Sequence, residues 1–135
     1  MLNMNGVSEL ERNKALAARF NEEVKNQHNI AAIDELLSDD FINHSEIPGF
    51  PSNREGVKAF FAYWAQAFPD LTCTVHDRIA EGDRVVDFFT LEGTPQGEFL
   101  GIPATGKRVK YDGMHIFLFA DGRITVIGTS WICSR

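Results

Sequence analysis

The apolar positions of SELERNKALAARFNEEVKN, residues 8–26, recur at helical spacing. Leu10, Leu16, Ala17, Phe20 and Val24 gather on one face, and Glu11, Lys14, Glu22 and Lys25 fall on the other. Ser8 and Glu11 have capping-box spacing, so the pattern predicts a helix over about 9–26 with its charged face in water. Asn29 can cap a short second helix, IAAIDELLS, whose Ile30, Ile33, Leu36 and Leu37 form another apolar stripe. A third helix is expected to start at Ser52, with Glu55 three residues on. It carries Val57, Phe60, Phe61, Trp64 and Phe68 and stops at Pro69.

Beyond Pro69 the period becomes two. In LTCTVHDRI, Leu71, Cys73, Val75 and Ile79 share a face that Asp77 interrupts. EGD at 81–83 is a tight turn into RVVDFFTLEG, and two apolar strands flank Asp121-Gly122, a hairpin signal. TPQGEFLGIPATGK reads as a loop crossing the rim. DDFINHSEIPGF, residues 39–50, reads as a polar segment anchored by Phe41 and Ile47. Helices first and then a predominantly antiparallel sheet of about four long strands give an α+β layer architecture. Gly93, Gly97, Gly101 and Gly113 permit strong curvature of the sheet around a cavity.

A chain of 135 residues, 44% apolar and with eleven Phe, is expected to fold as a single domain over 1–135. Its formal charge of -6, with no basic run, disfavours nucleic acid as a partner. Cys73 and Cys133 lack CxxC spacing and are expected as buried thiols on strands. The four histidines lie 16, 32 and 39 residues apart, without the short spacing of paired metal ligands, so no metal is expected. No glycine motif opens a helix to hold phosphate, so no cofactor is expected either. Without a long apolar run or a signal-like start, no membrane association and a cytoplasmic location are expected.

Chemistry concentrates in a few polar side chains on apolar strands. His115 shares the odd-numbered face with Val109, Tyr111, Phe117 and Phe119, where an imidazole must find a hydrogen-bond partner or lose its proton. Asp87 shares the parity of Val85, Phe89 and Leu91. If adjacent, His115 and Asp87 would form an acid–base pair. His44 is a further proton-transfer or orienting group, with Asn43 beside it to meet a carbonyl. Tyr63 on the third helix, Tyr111, Thr129 and Trp131 complete the expected ligand-binding set. The register around Asp121-Gly122 stays open. A two-residue turn pairs His115 with Gly128 and turns Thr129 away; a three-residue loop with Gly122 in a bulge pairs His115 with Ile127 and brings Thr129 to the same face.

The element order resembles the fold of nuclear transport factor 2, a curved sheet wrapped against helices to form a cone with a pocket. GEFLGIPATGKRVKYDGMHIFLFADGRI is similar to the signature segment of the SnoaL-like polyketide cyclase family. DDFINH, REGVKAFFAYWAQAFPDL and EGDRVV match that family's order and spacing, so the resemblance spans roughly residues 10–131. It implies a cone-shaped α+β domain enclosing a pocket for a small apolar or aromatic ligand, and a homodimer. It also implies proton-transfer chemistry of an aldol closure, with His115 at the family's histidine position. The chain departs from the family at Thr129, which stands where an acid is expected; threonine cannot act as a base near neutral pH. Two readings follow. One is a lyase, cyclase or isomerase acting on an apolar carbonyl substrate; the other is a noncatalytic binder of a hydrophobic ligand, or a homodimeric structural domain.

Overall fold

The computed structural model describes residues 8–98 and 103–132. Cys133 and the middle of the glycine-rich loop lie outside the described residues. Helix α1 (Glu9–Arg19) begins where the capping pattern places it, with Ser8 Oγ accepting from the Glu11 N–H at 3.1 Å. The turn geometry then widens: Phe20–Asn26 is π-helical rather than α-helical and buries Phe20, Asn21, Val24 and Lys25. The single amphipathic helix expected over 9–26 is therefore corrected, and Lys25 faces the core instead of water. His28, at φ +56°, ends the segment in a left-handed turn.

Helix α2 (Ala32–Leu36) is shorter than its apolar stripe suggested, and Asn29 does not cap it with its side chain. At Leu37 the chain becomes extended, and DDFIN belongs to strand β1 (Leu37–Asn43) rather than to a loop. Helix α3 (Arg54–Ala67) is capped by Asn53, whose Oδ1 accepts from the Gly56 N–H at 2.9 Å, one residue later than the Ser52 start read from sequence. Its Phe60, Phe61 and Trp64 form a contiguous aromatic face of edge-on and tilted rings, and Phe61 meets Phe20 edge-on at 5.7 Å.

Four further strands follow: β2 (Thr72–Glu81), β3 (Arg84–Gly93), β4 (Val109–Ala120) and β5 (Arg123–Ile132). The sheet order is β1-β5-β4-β3-β2. β1 pairs with β5 in parallel and every other pairing is antiparallel, so the sheet is mixed, five-stranded and open. A strand entered directly from a helix, without a hairpin, is free to run parallel to its neighbour. The helices cover one face of this sheet, where Val85, Phe89, Leu91, Phe117 and Ile124 are buried. Among the described residues no helix is long and apolar enough to cross a membrane.

Two bulges decide which side chains enter that covered face. In β2, Val75 pairs with Phe89 but Asp77 pairs with Phe88, so His76 is an extra residue and the parity inverts. Ile79, expected beside Leu71, Cys73 and Val75, is consequently turned outward and 62% exposed, while Arg78 turns inward opposite Asp87. In β5 the turn is a two-residue Asp121-Gly122 turn with φ of 53° and 77°, as a type I′ hairpin requires. A register shift between Leu118 and Phe119 then aligns His115 with Thr129. Neither register read from sequence is the one formed. Thr129 does share the face of His115, through a bulge in β5 rather than through Gly122.

Candidate active site

Asp87 on β3 and His115 on β4 are directly opposed across an antiparallel ladder, so both side chains point under the helices. Asp87 is wholly buried and His115 nearly so. Adjacent strands bring the two together, but each takes different partners. The Asp87 carboxylate receives Arg78 bidentately, Nε at 2.6 Å and a terminal nitrogen at 3.0 Å, and Asn21 Nδ2 at 2.6 Å. This fork geometry is the strong form of an arginine–carboxylate contact. It exists only because the β2 bulge turned Arg78 inward.

His115 is held from both ring nitrogens. Lys25 Nζ lies 2.5 Å from Nε2, and Thr129 Oγ1 lies 2.9 Å from Nδ1. A lysine ammonium only donates, so Nε2 must be the acceptor, and Nδ1–H donates to the threonine hydroxyl. Thr129 thus fixes the tautomer and orientation of the ring rather than taking its proton. Asn21 and Lys25 reach this point together because they lie four residues apart on the π-helical segment, one serving Asp87 and the other His115.

The surroundings are aromatic and buried. The Lys25 ammonium lies 4.0 Å from the centre of the Phe89 ring and 5.9 Å from that of Phe20. Phe89, Phe117 and Phe20 pack around the His115 ring with centroids 4.5, 5.4 and 6.4 Å away. Burial pushes Lys25 from 10.5 down to about 8, against the pull of the Asp87 carboxylate. Burial and then the neighbouring Lys25 charge hold the His115 imidazole well below its usual range, opposed by the Gly128 backbone. Burial also pushes the Cys73 thiol up, so it stays protonated at neutral pH.

The histidine shift has a sign that can be measured. The folded state binds the His115 proton more weakly than the unfolded chain, so stability from this site is complete above about pH 6.5. As pH falls below that value the unfolded chain protonates first, and stability is lost at up to about 1.4 kcal/mol per pH unit. Urea denaturation at pH 7, 6 and 5 should show this slope, and His115→Gln should flatten it. An equal slope in the variant would assign it to other groups. Lys25, protonated in both states over this range, adds none.

The remaining expected site residues are dispersed. Tyr111 and Trp131 lie on the His115 face where the sheet emerges from the helices, 46% and 52% exposed, with ring centres 6.5 Å apart. Trp131 meets Phe89 edge-on at 5.9 Å. Gly113 makes this possible, because a Cβ there would lie 2.9 Å from both the Phe89 and Trp131 rings. His44 is exposed, beside Gly128 and Ile116 on the opposite face, so the structure does not bring it to His115. Asn43 accepts from the Ser45 N–H at 3.1 Å, closing a local turn. Tyr63 donates to the Glu98 carbonyl at 3.1 Å and packs against Phe50.

Lys25, Asn21 and Arg78 are the residues that sequence reasoning missed. The break at Asp77 in the β2 alternation was a legible sign of the bulge that turns Arg78 inward; nothing comparable marked Lys25. Two concavities lie away from this site. One of about 280 Å³ on the outer face contains His76, Thr90 and Asp112, and one of about 370 Å³ lies around Ile47 and Phe50. Among the described residues no three His, Cys, Asp or Glu side chains are grouped as metal ligands.

Comparison with known proteins bears on the same region. The sequence model of the SnoaL-like polyketide cyclase family matches residues 15–131. No curated protein matches. Among solved structures, TsrD from Streptomyces laurentii is similar with a TM-score of 0.81 and 27% identity, over 97% of this chain and 91% of that one. AclR from Streptomyces galilaeus, named as a candidate hydroxylase, has a TM-score of 0.79 and 27% identity over 92% and 91%. IdmH from Streptomyces antibioticus, named as a candidate polyketide cyclase, has a TM-score of 0.75 and 28% identity over 88% and 91%.

Proposed function

The chain belongs to the SnoaL-like polyketide cyclase family, and from that premise we propose that it is a cyclase-type enzyme acting on a carbonyl substrate through enolisation at His115. The observation that carries this reading is the buried Lys25–His115 pair, an ammonium and a neutral imidazole joined inside an aromatic cage. A buried charge without a carboxylate partner is costly to the fold, and such groups concentrate at functional sites.

The chemistry follows from the hydrogen bonds. In the resting state the His115 Nε2 lone pair is occupied by Lys25. A substrate carbonyl that draws the ammonium to its oxygen frees that lone pair, and Nε2 takes the proton from the adjacent carbon. Lys25 then faces the enolate oxygen, where a preorganised cation in a dry site is most effective. Thr129 accepts the Nδ1–H and keeps the ring aimed throughout. The enolate carbon attacks a second carbonyl of the same molecule, and the imidazolium returns its proton to the resulting alkoxide. Because burial and Lys25 weaken the imidazolium's hold on that proton, the return is favourable. In this scheme Thr129 positions the base, so an acid at that place is not required. Asp87, bound by Arg78 and Asn21, supplies a fixed negative charge near Lys25 rather than a base.

Hydrogen exchange tests the first step without knowledge of the natural substrate. In deuterium oxide, the protein should accelerate loss of the α-proton signal of aryl ketones and β-keto esters. His115→Gln should reduce this acceleration by about 10²–10⁴-fold. If the wild-type chain leaves the exchange rate at that of buffer, the reading fails and the noncatalytic binder takes its place. A homodimer is part of the proposal. Ile42, Met114 and Ile116, 58%, 38% and 37% exposed, leave the outer face of the sheet apolar enough for a second copy to cover.

A further inference from the structure

The charges under the helices do not balance. Arg78 and Asp87 neutralise one another through two hydrogen bonds, and the carboxylate is completed by Asn21. Lys25, 1% exposed where the Arg78 side chain is 22% exposed, has a neutral imidazole as its hydrogen-bond partner and two aromatic rings beside it. The Cys73 thiol is protonated. On the same segment, Glu22 is exposed and bonded to Asn26 and Gln27, and Glu23 is bonded to Arg19. The part of α3 that meets Phe20 is Phe61, an apolar ring. Among the described residues, therefore, no carboxylate forms a salt bridge with Lys25, and Lys25, Arg78 and Asp87 together carry one excess positive charge at neutral pH.

We propose that the ligand of this site is a planar anion, an aromatic carboxylate or an ionised enol or phenol, whose negative group becomes the counter-ion of Lys25. This rests on the reading of the Lys25–His115 pair as a ligand site and adds the charge of what it takes. The placement of the aromatic rings gives the direction of approach. Trp131 and Tyr111 are half exposed on the same face, and Phe89 separates Trp131 from Lys25 by a single ring. An aromatic body resting on Trp131 and Tyr111 would turn its charged edge inward past Phe89. Burying the two opposite charges together relieves the isolated cation, so the gain on binding is larger for the anion than for a neutral molecule of the same shape.

Naphthoate and naphthamide supply that comparison, since they share a ring system and differ in charge. Calorimetric titration of the full chain at neutral pH should show the carboxylate binding at least about tenfold more tightly than the amide. Lys25→Met, shown to be folded by its melting curve, should bind the two equally. Equal affinities in the wild-type chain, absence of binding by either probe, or a carboxylate preference that survives in Lys25→Met would each overturn the proposal. Should the variant fail to fold, the wild-type comparison still decides. Ketone exchange reports proton transfer and calorimetry reports charge recognition, so either reading can fail without the other.

Discussion

Lys25→Met is expected to make the protein more stable and to abolish its turnover. Methionine has nearly the length of lysine and fills an aromatic cage well, so the substitution removes a buried charge without opening a cavity. The cost of that charge can be gauged from its titration. A fall from 10.5 to about 8 corresponds to about 3 kcal/mol of preference for the neutral amine inside the fold. Folded lysine holds its proton more weakly than unfolded lysine, so the cost is complete below about pH 8, where both states are charged. It shrinks between pH 8 and about 10.5, where only the unfolded chain keeps the proton, and vanishes above. Denaturation in urea should therefore show Lys25→Met more stable by about 1–3 kcal/mol at pH 7, with the gap closing toward pH 10.5. Ketone exchange should fall by at least about 10²-fold in the same variant. A variant less stable than wild type at pH 7 would mean that the contacts with His115 and Phe89 outweigh desolvation, and the lysine would then be a structural residue.

Asp87→Leu should act in the opposite direction and more strongly. The carboxylate anchors Arg78 and Asn21 and is a buried negative charge that acts on Lys25. Removing it leaves Lys25 and Arg78 without a counter-charge and one of the two Asn21 amide N–H groups without its acceptor, the other still donating to the Ala17 carbonyl, at a cost of about 3–5 kcal/mol. The two substitutions should not be additive. Lys25→Met should stabilise the Asp87→Leu background by more than it stabilises wild type, because the lysine charge is then unsupported. A double-mutant cycle measured by equilibrium denaturation reads this coupling directly. The same increment in both backgrounds would show that Asp87 acts only through Arg78 and contributes nothing to holding Lys25 charged.

Much of this architecture is written locally. The Ser8 cap, the aromatic stripe of Phe60, Phe61 and Trp64, the turn before Arg84 and the Asp121-Gly122 hairpin depend on neighbours a few residues away, and they appear in the structure close to where the sequence places them. Alternation within β3 and β4 was enough to put Asp87 and His115 on buried faces, and a two-residue hairpin turn fixes which strands adjoin. The family is legible along residues 15–131, and with it the layered α+β fold of helices against one mixed sheet.

The site itself was decided by three departures from regular period. The π-helical turn after Arg19 rotates Lys25 from the charged side of the helix into the core. The extra residue in β2 exchanges Ile79 for Arg78 on the inner face, and the register shift in β5 sets Thr129 against His115. Pattern reading assigns faces by counting residues, so one inserted residue inverts every assignment after it. A lysine among glutamates reads as solvated because its stabilising partners lie elsewhere in the chain, His115 being 90 residues away. Local pattern alone was enough for the layers, the fold family and two of the site's polar groups, Asp87 and His115, but not for Asn21, Lys25 or Arg78. Only tertiary packing decided that a lysine would accompany the histidine, since the energy that holds a charge inside comes from residues no local pattern connects to it.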